Sequence, residues 1–388
     1  MTQIGFIHAA DFHLDAPFRG GRQGYGQIRR GDVRRTFTAT VDLAISRDAR
    51  LLFLCGDLFE QDGVTRDTLA FVVRELLRLE ATQVLLLPGN HDPLTVNSWY
   101  HAVRWPSHVH VMGVDGPRAA VLDFPELAVA VAGFGFSGFV QDAPDFSTLP
   151  APRTDRYNVL LLHGSLNPPP ADRFYHRVTT AQLRQTGYDY IGMGHYHNPF
   201  ILPGEPTIAN PGSPEPLGFD EPGPHGVLAG TISREGGRAM ANVVSVPLAV
   251  REYVDCQADI TEADSPEAIR YAIASVLHGL QPERQLPRIR LTGAPLESPD
   301  VQALSEWIDD SWLLTRIVDE TVPPMTSEAD LSPGSLAGIF SARLFLQIAQ
   351  AEEAGDSQWA SVLRQARRMG LEALAHGQVH LAPQRLGG

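Results

Sequence analysis

Short apolar runs alternate with polar turns along the first half of the chain. Five such runs, each four to seven residues long, lead into turns rich in Gly, Asp, Asn or His: Ile4–Ala10, Leu51–Cys55, Val84–Leu87, Val159–Leu162 and Tyr188–Met193. Runs of this length are typical of buried strands. Apolar residues between the early runs recur at helical spacing: Phe37, Val41, Ala44 and Ile45, then Leu69, Val72, Val73, Leu76 and Leu79. The alternation predicts an α/β sheet, where ligands gather at the carboxyl ends of the strands.

The pattern changes twice further along the chain. From about residue 119 to 247 it is richer in strands, and alternation in Leu127–Phe136 and Ala241–Val246 predicts a second sheet with hairpins. After residue 250 a strand is followed by a predicted helix, strand, helix and strand at Pro266–Leu280, Arg288–Leu291, Asp300–Asp309 and Trp312–Val318. A Pro-rich linker at 323–333 then leads to helical spacing from Leu336 to about Leu374, with a break near Gly355. We therefore expect a two-sheet α/β domain at residues 1–249, a small α/β capping domain at 250–322 and a helical C-terminal region at 331–388.

Composition narrows the class of protein. A chain of 388 residues exceeds one ordinary core, and 43% hydrophobic with 20% charged residues is typical of a globular protein. The sequence has no run of roughly 18 apolar residues, which a membrane span needs, and no basic segment precedes the first apolar run as in a signal peptide. Two cysteines, Cys55 and Cys256, are too few for a disulfide framework. We expect a cytoplasmic protein that does not bind membranes.

The charge distribution gives a weaker signal. A net charge of −14 argues against attraction of nucleic acid to the whole surface, but every cation is an arginine and six fall in one short stretch: Arg19, Arg22, Arg29, Arg30, Arg34 and Arg35. Arginine holds phosphate oxygens in a bidentate way. Arg19, Arg22, Arg29 and Arg30 are therefore candidate substrate-binding residues, with a solvated helix face as the alternative. The Gly-rich segment 20–26 between them is either a substrate-contacting loop or a flexible insertion.

Metal-binding side chains collect at the five predicted strand ends. They are Asp11, His13, Asp57, Asn90, His91, His163, His195 and His197. Oxygen and nitrogen ligands without a thiolate suit Mn²⁺, Fe or Zn²⁺. A spacing of two residues would place the two members of each pair, Asp11 with His13 and His195 with His197, on one side of an extended segment. The set is too large for one ion and suits two, because a carboxylate can bridge cations about 4 Å apart.

The order and spacing of these residues resemble a known family. Asp11-x-His13, Gly56-Asp57, Gly89-Asn90-His91-Asp92, His163-Gly164 and Gly194-His195-x-His197 are similar to the five signatures of the calcineurin-like metallophosphoesterase superfamily. The similarity covers roughly residues 1–245. The opening segment Phe6–Asp15, Gly56–Phe59 and Asn210–Glu215 resemble its DNA repair exonuclease branch, which includes SbcD and YhaO. The resemblance implies a two-sheet metallophosphoesterase sandwich flanked by helices.

The resemblance also implies a role for each residue. Asp11, His13 and His197 would hold one metal; Asn90, His163 and His195 would hold the other; Asp57 would bridge them. His91 would stay off the metals and protonate the leaving oxygen, a role that suits an imidazole with a pKa near 6.5. Asp92 would either orient that imidazole or form the turn. Glu60 departs from the family's nucleases that carry histidine three residues after the bridging aspartate, which leaves open the balance of exonuclease and endonuclease activity.

The predicted function is a DNA nuclease of the exonuclease type, with two divalent metals as cofactors, most simply Mn²⁺. The family precedent implies DNA, a second copy of the chain and an SMC-like ATPase as partners. A phosphodiesterase or phosphatase acting on small molecules is the alternative within enzymes, since the same metal centre serves both. A DNA-end-binding scaffold with a vestigial site is the alternative outside enzymes, but it would be expected to lack a ligand or His91.

Overall fold

The computed structural model describes residues 3–113, 116–168, 175–236, 238–308, 311–321 and 332–376. The chain divides into two compact units, residues 1–254 with 281–286, and residues 255–280 with 287–388. Most of the predicted linker at 323–333 and the end of the predicted C-terminal region lie outside the described residues. Each unit is described by itself.

The first sheet of the first unit has six strands in the order β12-β11-β1-β2-β3-β4. Its strands are β1 Ile4–Ala9, β2 Leu51–Cys55, β3 Gln83–Leu87, β4 Val109–Val111, β11 Gly226–Glu235 and β12 Arg238–Pro247. β1 to β4 run parallel, with Phe6 opposite Leu51 and Leu51 opposite Gln83, and β11 runs antiparallel to β1. The carboxyl ends of the first three predicted strands therefore meet at one edge of this sheet.

The second sheet also has six strands, in the order β5-β6-β7-β8-β10-β9. They are β5 Ala120–Phe124, β6 Val129–Phe134, β7 Tyr157–His163, β8 Tyr190–Gly194, β9 Phe200–Leu202 and β10 Thr207–Asn210. The inner strands β6, β7, β8 and β10 are parallel. The predicted strand Ala241–Val246 is not here; it lies in β12, paired with β11 at the edge of the first sheet. Alternation shows that one face of a strand is buried, but it does not show which sheet the strand joins.

Helices cover the outer faces of the two sheets, which gives four layers. They are α1 Tyr25–Ser46 and α2 Arg66–Leu76 on the first sheet and α3 Thr180–Gln185 on the second. Alternate residues of each strand serve different layers: in β2, Leu52 and Leu54 pack towards the helices, whereas Leu51 and Phe53 pack between the sheets. Strands buried on both faces have apolar residues throughout. The expected two-sheet α/β sandwich is confirmed.

A small three-stranded sheet, in the order β13-β14-β15, lies mostly in the second unit. Its elements are β13 Glu252–Asp259, α4 Pro266–Leu277, β14 Gln285–Thr292, α5 Val301–Trp307 and β15 Arg316–Asp319. Strands and helices alternate here in the predicted order, although the last strand begins at Arg316 rather than at Trp312. A core that includes Ile269, Ile273, Ile289 and Leu291 holds helices and sheet together.

Two helices follow, α6 Leu336–Glu353 and α7 Ser357–His376. The break falls at Gly355, whose φ of 72° is the left-handed conformation that commonly ends a helix. They pack through Ile348, Ala351, Ala360 and Leu363. In the described part of the chain, none of the helices combines the length and the apolarity needed to cross a membrane.

Candidate metal centre

All seven predicted metal ligands lie at the carboxyl ends of five strands and come together. Asp11, His13 and His197 form one group of potential ligand atoms within 4.8 Å of one another, and Asp11, Asp57 and His163 form a second. Asn90 joins the second group through Oδ1, which is 3.0 Å from Nε2 of His163 and 3.2 Å from Nδ1 of His195. The two sheets each contribute ligands, so the cluster spans their common edge.

The backbone at this edge turns sharply. Asp11, His13 and Asp57 have φ angles of 54°, 46° and 49°, the left-handed region that non-glycine residues rarely adopt. Asp11 and His13 therefore do not converge through an extended segment, as the spacing of two suggested. Hydrogen bonds from their amides to the carbonyls of Gly56 and Asp57 hold the turn, at 3.0 and 2.9 Å. Such strained residues are commonly found at functional sites.

Gly56 is a position that only glycine satisfies. Its φ is 88°, and a Cβ built on it would lie 2.1 Å from Nδ1 of His163. The missing side chain lets that imidazole approach the turn after β2, where Nδ1 lies 2.8 Å from the carbonyl of Cys55. The Gly-Asp motif thus supplies both a carboxylate and the space for a ligand from the other sheet.

The hydrogen bonds of the first group favour a cation. Nδ1 of His13 is 3.2 Å from Glu60 and Nδ1 of His197 is 2.7 Å from Glu221, so each neutral ring donates its proton to a carboxylate. Both Nε2 atoms then present lone pairs, and they face each other at 3.2 Å. In the neutral rings these two acceptors cannot bond to each other, so the space between them suits a positive charge: either a proton, which the raised pKa of His197 favours, or a metal cation. Carboxylates that orient ligating imidazoles in this way are typical of metal sites.

Asp57 lies between the two groups of potential ligands. Its Oδ2 is 3.3 Å from Nε2 of His163 and 3.7 Å from Nε2 of His13. His163 donates Nδ1–H to the carbonyl of Cys55, so in the neutral ring Nε2 is again a lone pair, and it faces the oxygen atoms of Asn90 and Asp57. The arrangement fits a carboxylate shared by two cations.

The carboxylates of the cluster strongly favour positive charge on two of the neighbouring imidazoles. Although burial opposes protonation, the neighbouring Asp57 and Asp11 raise the pKa of His163 to about 9. Burial likewise opposes the charge on His197, but Glu221 and Asp11 raise its pKa to about 9. Burial dominates at His195 and lowers its pKa to about 3, which leaves a neutral ligand. Protons and divalent cations therefore compete for the same lone pairs.

His91 stands beside the cluster rather than within the predicted ligand set. Its ring is half-exposed, and Nδ1 lies 3.0 Å from Oε1 of Glu60. This hydrogen bond raises the pKa of His91. Although burial raises the pKa of Glu60, hydrogen bonds from His13 and His91 lower it to about 2. Glu60 is therefore ionised and holds Nδ1–H of His91, which leaves Nε2 as the atom that can pass on a proton.

Asp92 could either orient the imidazole of His91 or form the turn, and the structure supports the role in the turn. Its buried carboxylate accepts backbone N–H groups from Asp57, Leu58, Phe59 and Gly89 and the hydroxyl of Tyr100, at 2.6 to 3.2 Å. These contacts tie the turn after β3 to the turn after β2. Glu60, rather than Asp92, contacts the His91 imidazole.

A cavity of about 280 Å³ opens beside the cluster. It is lined by His13, Ala16, Pro17, Phe18, Arg19, Tyr25, Glu60, His91, His197 and Leu217. The exposed Arg19 is the predicted substrate-binding arginine that lines it. Arg22 is exposed and Arg30 is half-buried, and neither belongs to the described lining of this cavity.

Arg29 corrects the prediction that it binds substrate. Its side chain is completely buried, with guanidinium nitrogens 2.5 Å from Glu215, 2.8 Å from Asp32 and 2.6 Å from the carbonyl of Pro216. Glu215 also accepts hydrogen bonds from Thr36 and from the amide of Val250. Arg29 therefore fastens α1 to the segment after β10 and does not reach a phosphate.

Glu221 is a residue that the sequence patterns did not reveal. Its carboxylate accepts from Nδ1 of His197, from the hydroxyl of Ser213 and from the amide of Leu217. It lies 24 residues after His197, outside every motif. The separation of Glu60 from His91 is comparable, at 31 residues. Only folding brings either carboxylate to its imidazole.

The chain is similar in sequence to known phosphoesterases and to a DNA repair protein. Residues 4–199 match the family described as calcineurin-like phosphoesterase. The chain is 29% identical over 252 residues to the uncharacterized metallophosphoesterase YhaO of Bacillus subtilis strain 168, which covers 62% of this chain and 61% of that protein. It is 24% identical over 243 residues to the DNA double-strand break repair protein Mre11 of Methanosarcina mazei, covering 60% of this chain and 37% of that protein. The chain thus spans less than two thirds of the length of these relatives.

Solved structures give a weaker likeness. A dimetal phosphatase from Danio rerio is 9% identical, with a TM-score of 0.36, and the match covers 62% of this chain and 98% of that one. The protein TT1561 of Thermus thermophilus is 12% identical, also with a TM-score of 0.36, over 62% of this chain and 99% of that one.

Proposed function

The chain belongs to the calcineurin-like phosphoesterase family, and from that premise we propose that it is a two-metal phosphodiesterase acting as a DNA exonuclease. The observation that carries the proposal is the His91–Glu60 pair, 3.0 Å apart, at the rim of an open cavity beside the ligand cluster. That pair supplies a proton donor where a leaving oxygen would depart. Metal-dependent phosphoester chemistry follows from the family; DNA as the substrate is the proposal.

The residues present fit two divalent cations. Asp11, His13 and His197 would hold one, Asn90, His163 and His195 the other, and Asp57 would contact both. Mixed nitrogen and oxygen donors without sulfur favour Mn²⁺, with Fe or Zn²⁺ as alternatives. When bound, two such ions supply positive charge at the phosphoryl oxygens and activate water.

The protein's own groups account for the proton. Glu60 fixes the ring of His91 through Nδ1, and the raised pKa of His91 keeps it protonated further into the neutral range. Nε2–H can then be delivered to the oxygen that leaves, a contribution of typically 10²- to 10⁴-fold in rate. The amide of His91 also donates to Oδ1 of Asp57 at 2.8 Å, so the acid and the shared carboxylate are held together.

Two observations favour a nucleic acid over a small ester. Arg19 is an exposed cation in the lining of the cavity, and arginine is a residue type that commonly contacts the phosphates of a nucleic acid. The relatives include a protein named for DNA double-strand break repair. The complete ligand set and the presence of His91 argue against a vestigial, purely DNA-binding site.

We also propose two protein partners. A second copy of the chain and an SMC-like ATPase are what the resemblance to the DNA repair exonuclease branch implies. The exposed apolar residues of α6 and α7, including Leu336, Ile339 and Leu346, offer a surface for such an ATPase.

The test is hydrolysis of two substrates by the full chain, stripped of metal and then given Mn²⁺. One substrate is linear duplex DNA and the other is bis(p-nitrophenyl) phosphate. We expect hydrolysis of both, loss of both with chelator, and recovery with Mn²⁺. Asp57→Ala should lose activity and bound metal together because it removes a ligand from both ions, whereas exposed Asp62→Ala should retain both.

Each other outcome has a definite meaning. Hydrolysis of the ester alone would make the protein a small-molecule phosphodiesterase. Binding of DNA ends without hydrolysis of either substrate would support the scaffold. Full activity in chelator would contradict metal dependence.

A further inference from the structure

One wall of the cavity is apolar and has no part in the proposed hydrolysis. It consists of Ala16, Pro17, Phe18 and Leu217, and it shares the cavity with His13, His91 and His197. A volume of about 280 Å³ is at the lower end of small-molecule sites, which begin at about 300 Å³. The cavity thus has room for one nucleotide-sized group and not for a duplex.

The ring of Phe18 is held in place by its neighbours. The guanidinium carbon of Arg29 lies 5.1 Å from the ring centroid, and the ring of Tyr25 meets it edge-on at 6.4 Å with an interplanar angle of 88°. A Cβ on Gly26 would lie 2.8 Å from the carbonyl oxygen of Phe18, so the loop packs directly on the start of α1. Phe18 is therefore a rigid, half-buried aromatic group beside the site.

The buried ionic cluster explains this rigidity. Arg29 bonds to Asp32 within α1 and to Glu215 after β10, and all three side chains are fully buried. The opposite side of the cavity is fixed as well, because Glu221 accepts the amide of Leu217 at 2.9 Å and Nδ1 of His197 at 2.7 Å. The carboxylate of Glu221 thus holds both Leu217 of the apolar wall and the imidazole of His197.

We propose that this cavity is a nucleobase subsite in which Phe18 stacks on the base next to the scissile phosphate. The inference rests on the proposed phosphodiesterase function and specifies its substrate as a base-bearing nucleotide. Stacking tolerates every base, because each base has a π face. Pro17 and Leu217 present apolar side chains that cannot read base edges, so the subsite binds bases without sequence preference.

The kinetic test compares two esters that share p-nitrophenol as leaving group. Thymidine 5′-(p-nitrophenyl phosphate) carries a base, and methyl p-nitrophenyl phosphate does not. With Mn²⁺ we expect the full chain to have a KM roughly 10- to 100-fold lower for the thymidine ester, in line with the strength of base–aromatic stacking. Phe18→Ala should remove this advantage and leave the methyl ester unchanged, and Phe18→Trp should keep it.

A second variant separates stacking from packing. Phe18→Leu preserves an apolar side chain but lacks a π face, so it should behave as Phe18→Ala even if truncation to alanine disturbs the loop. Ile45→Ala is the control, because this exposed residue lies near the other end of α1, about 30 Å from Tyr25 at 1.5 Å per residue. It should leave both KM values as they are.

A binding measurement does not depend on hydrolysis. Calorimetric titration with dAMP and with 2-deoxyribose 5-phosphate should show tighter binding of dAMP, and Phe18→Leu should abolish the difference. If the preference for the base persists in Phe18→Leu and Phe18→Ala, the subsite is wrong while the phosphodiesterase stands. If the wild type hydrolyses neither ester, the proposed function fails, and the dAMP comparison still decides the subsite.

Discussion

Glu60 and His91 form a carboxylate–imidazole pair, with Oε1 of Glu60 3.0 Å from Nδ1 of His91. The same carboxylate lies 3.2 Å from Nδ1 of His13. One side chain therefore orients both a potential metal ligand and the proposed acid. The position that departs from the family's histidine-bearing nucleases is thus an integral part of the centre in this chain.

The pair predicts a leaving-group effect for Glu60→Gln. Glutamine can still accept a hydrogen bond but lacks the charge, so the pKa of His91 should fall and less of the acid will be protonated. We expect turnover of DNA to drop by about 10- to 100-fold. Hydrolysis of bis(p-nitrophenyl) phosphate should change far less, because nitrophenolate leaves without a proton.

His91→Ala is the matched comparison for this prediction. It should retain bound Mn²⁺ and show the same selective loss. At saturating Mn²⁺, Glu60→Gln combined with His91→Ala should be no slower than His91→Ala alone, since the contribution that Glu60 makes through His91 is then already lost. Loss of metal in His91→Ala would show that His91 is a ligand. Equal losses on both substrates in Glu60→Gln would show that Glu60 acts through His13 instead.

Glu221 predicts a separate effect on metal affinity. Its bond to Nδ1 of His197 orients that ring, and loss of such partners commonly costs 10- to 100-fold in metal affinity. Glu221→Gln should therefore weaken Mn²⁺ binding by about that factor, measured by equilibrium dialysis, and excess Mn²⁺ should restore activity. Glu205→Gln, at an exposed carboxylate, should bind Mn²⁺ as the wild type does. An unchanged affinity in Glu221→Gln would assign Glu221 to packing alone.

The carboxylates of Glu60 and Glu221 also show what sequence patterns could not predict. The convergence of the candidate ligand residues was predictable because each follows a strand within a short motif, and parallel strands bring their carboxyl ends together. Contacts between segments that are distant in the sequence were not predictable. The burial of Arg29 depends on Glu215, 186 residues away, and an arginine cluster looks the same whether it faces solvent or a buried acid. The left-handed turn at Asp11 and His13 likewise depends on carbonyls from the next strand end.

His8 predicts how stability depends on pH. It is buried between the sheets, where Nε2 donates to the carbonyl of Met193 and Nδ1 accepts from the hydroxyl of Tyr190. Burial lowers its pKa from 6.5 to about 3. The unfolded chain therefore takes up a proton first as the pH falls below 6.5, and stability is lost from there towards pH 3.

The expected size of this effect is about 2 kcal/mol between pH 7.5 and pH 5. His8→Gln removes the titrating group. Between pH 7.5 and pH 5, the free energy of unfolding should therefore decrease by about 2 kcal/mol less in His8→Gln than in the wild type. Urea denaturation in chelator measures both without a contribution from metal release. If the two proteins lose equal stability, His8 is not held neutral by the fold.

The helices α6 and α7 carry the last prediction, which concerns the proposed ATPase partner. Their contact buries Ile348, Ala351, Ala360 and Leu363, yet Leu336, Ile339 and Leu346 are exposed. These three recur at spacings of three and seven residues and so form one stripe along α6. Amphipathic helices commonly bury such a stripe in a partner's groove. The alternative is that it packs on a second copy of the chain.

Replacing Leu336, Ile339 and Leu346 by serine should abolish capture of the SMC-like ATPase in a pull-down while Mn²⁺-dependent hydrolysis of bis(p-nitrophenyl) phosphate continues. Phe345→Ser is the control, because Phe345 is comparably exposed but lies about 100 to 180° around α6 from the three residues of the stripe. Deleting residues 331–388 should reproduce the triple variant. Normal capture by the triple variant would exclude the stripe as the docking surface. The triple variant could instead lose capture and also change from dimer to monomer, as measured by light scattering. That result would assign the stripe to the contact with a second copy of this chain, because loss of the dimer would then explain the loss of ATPase binding.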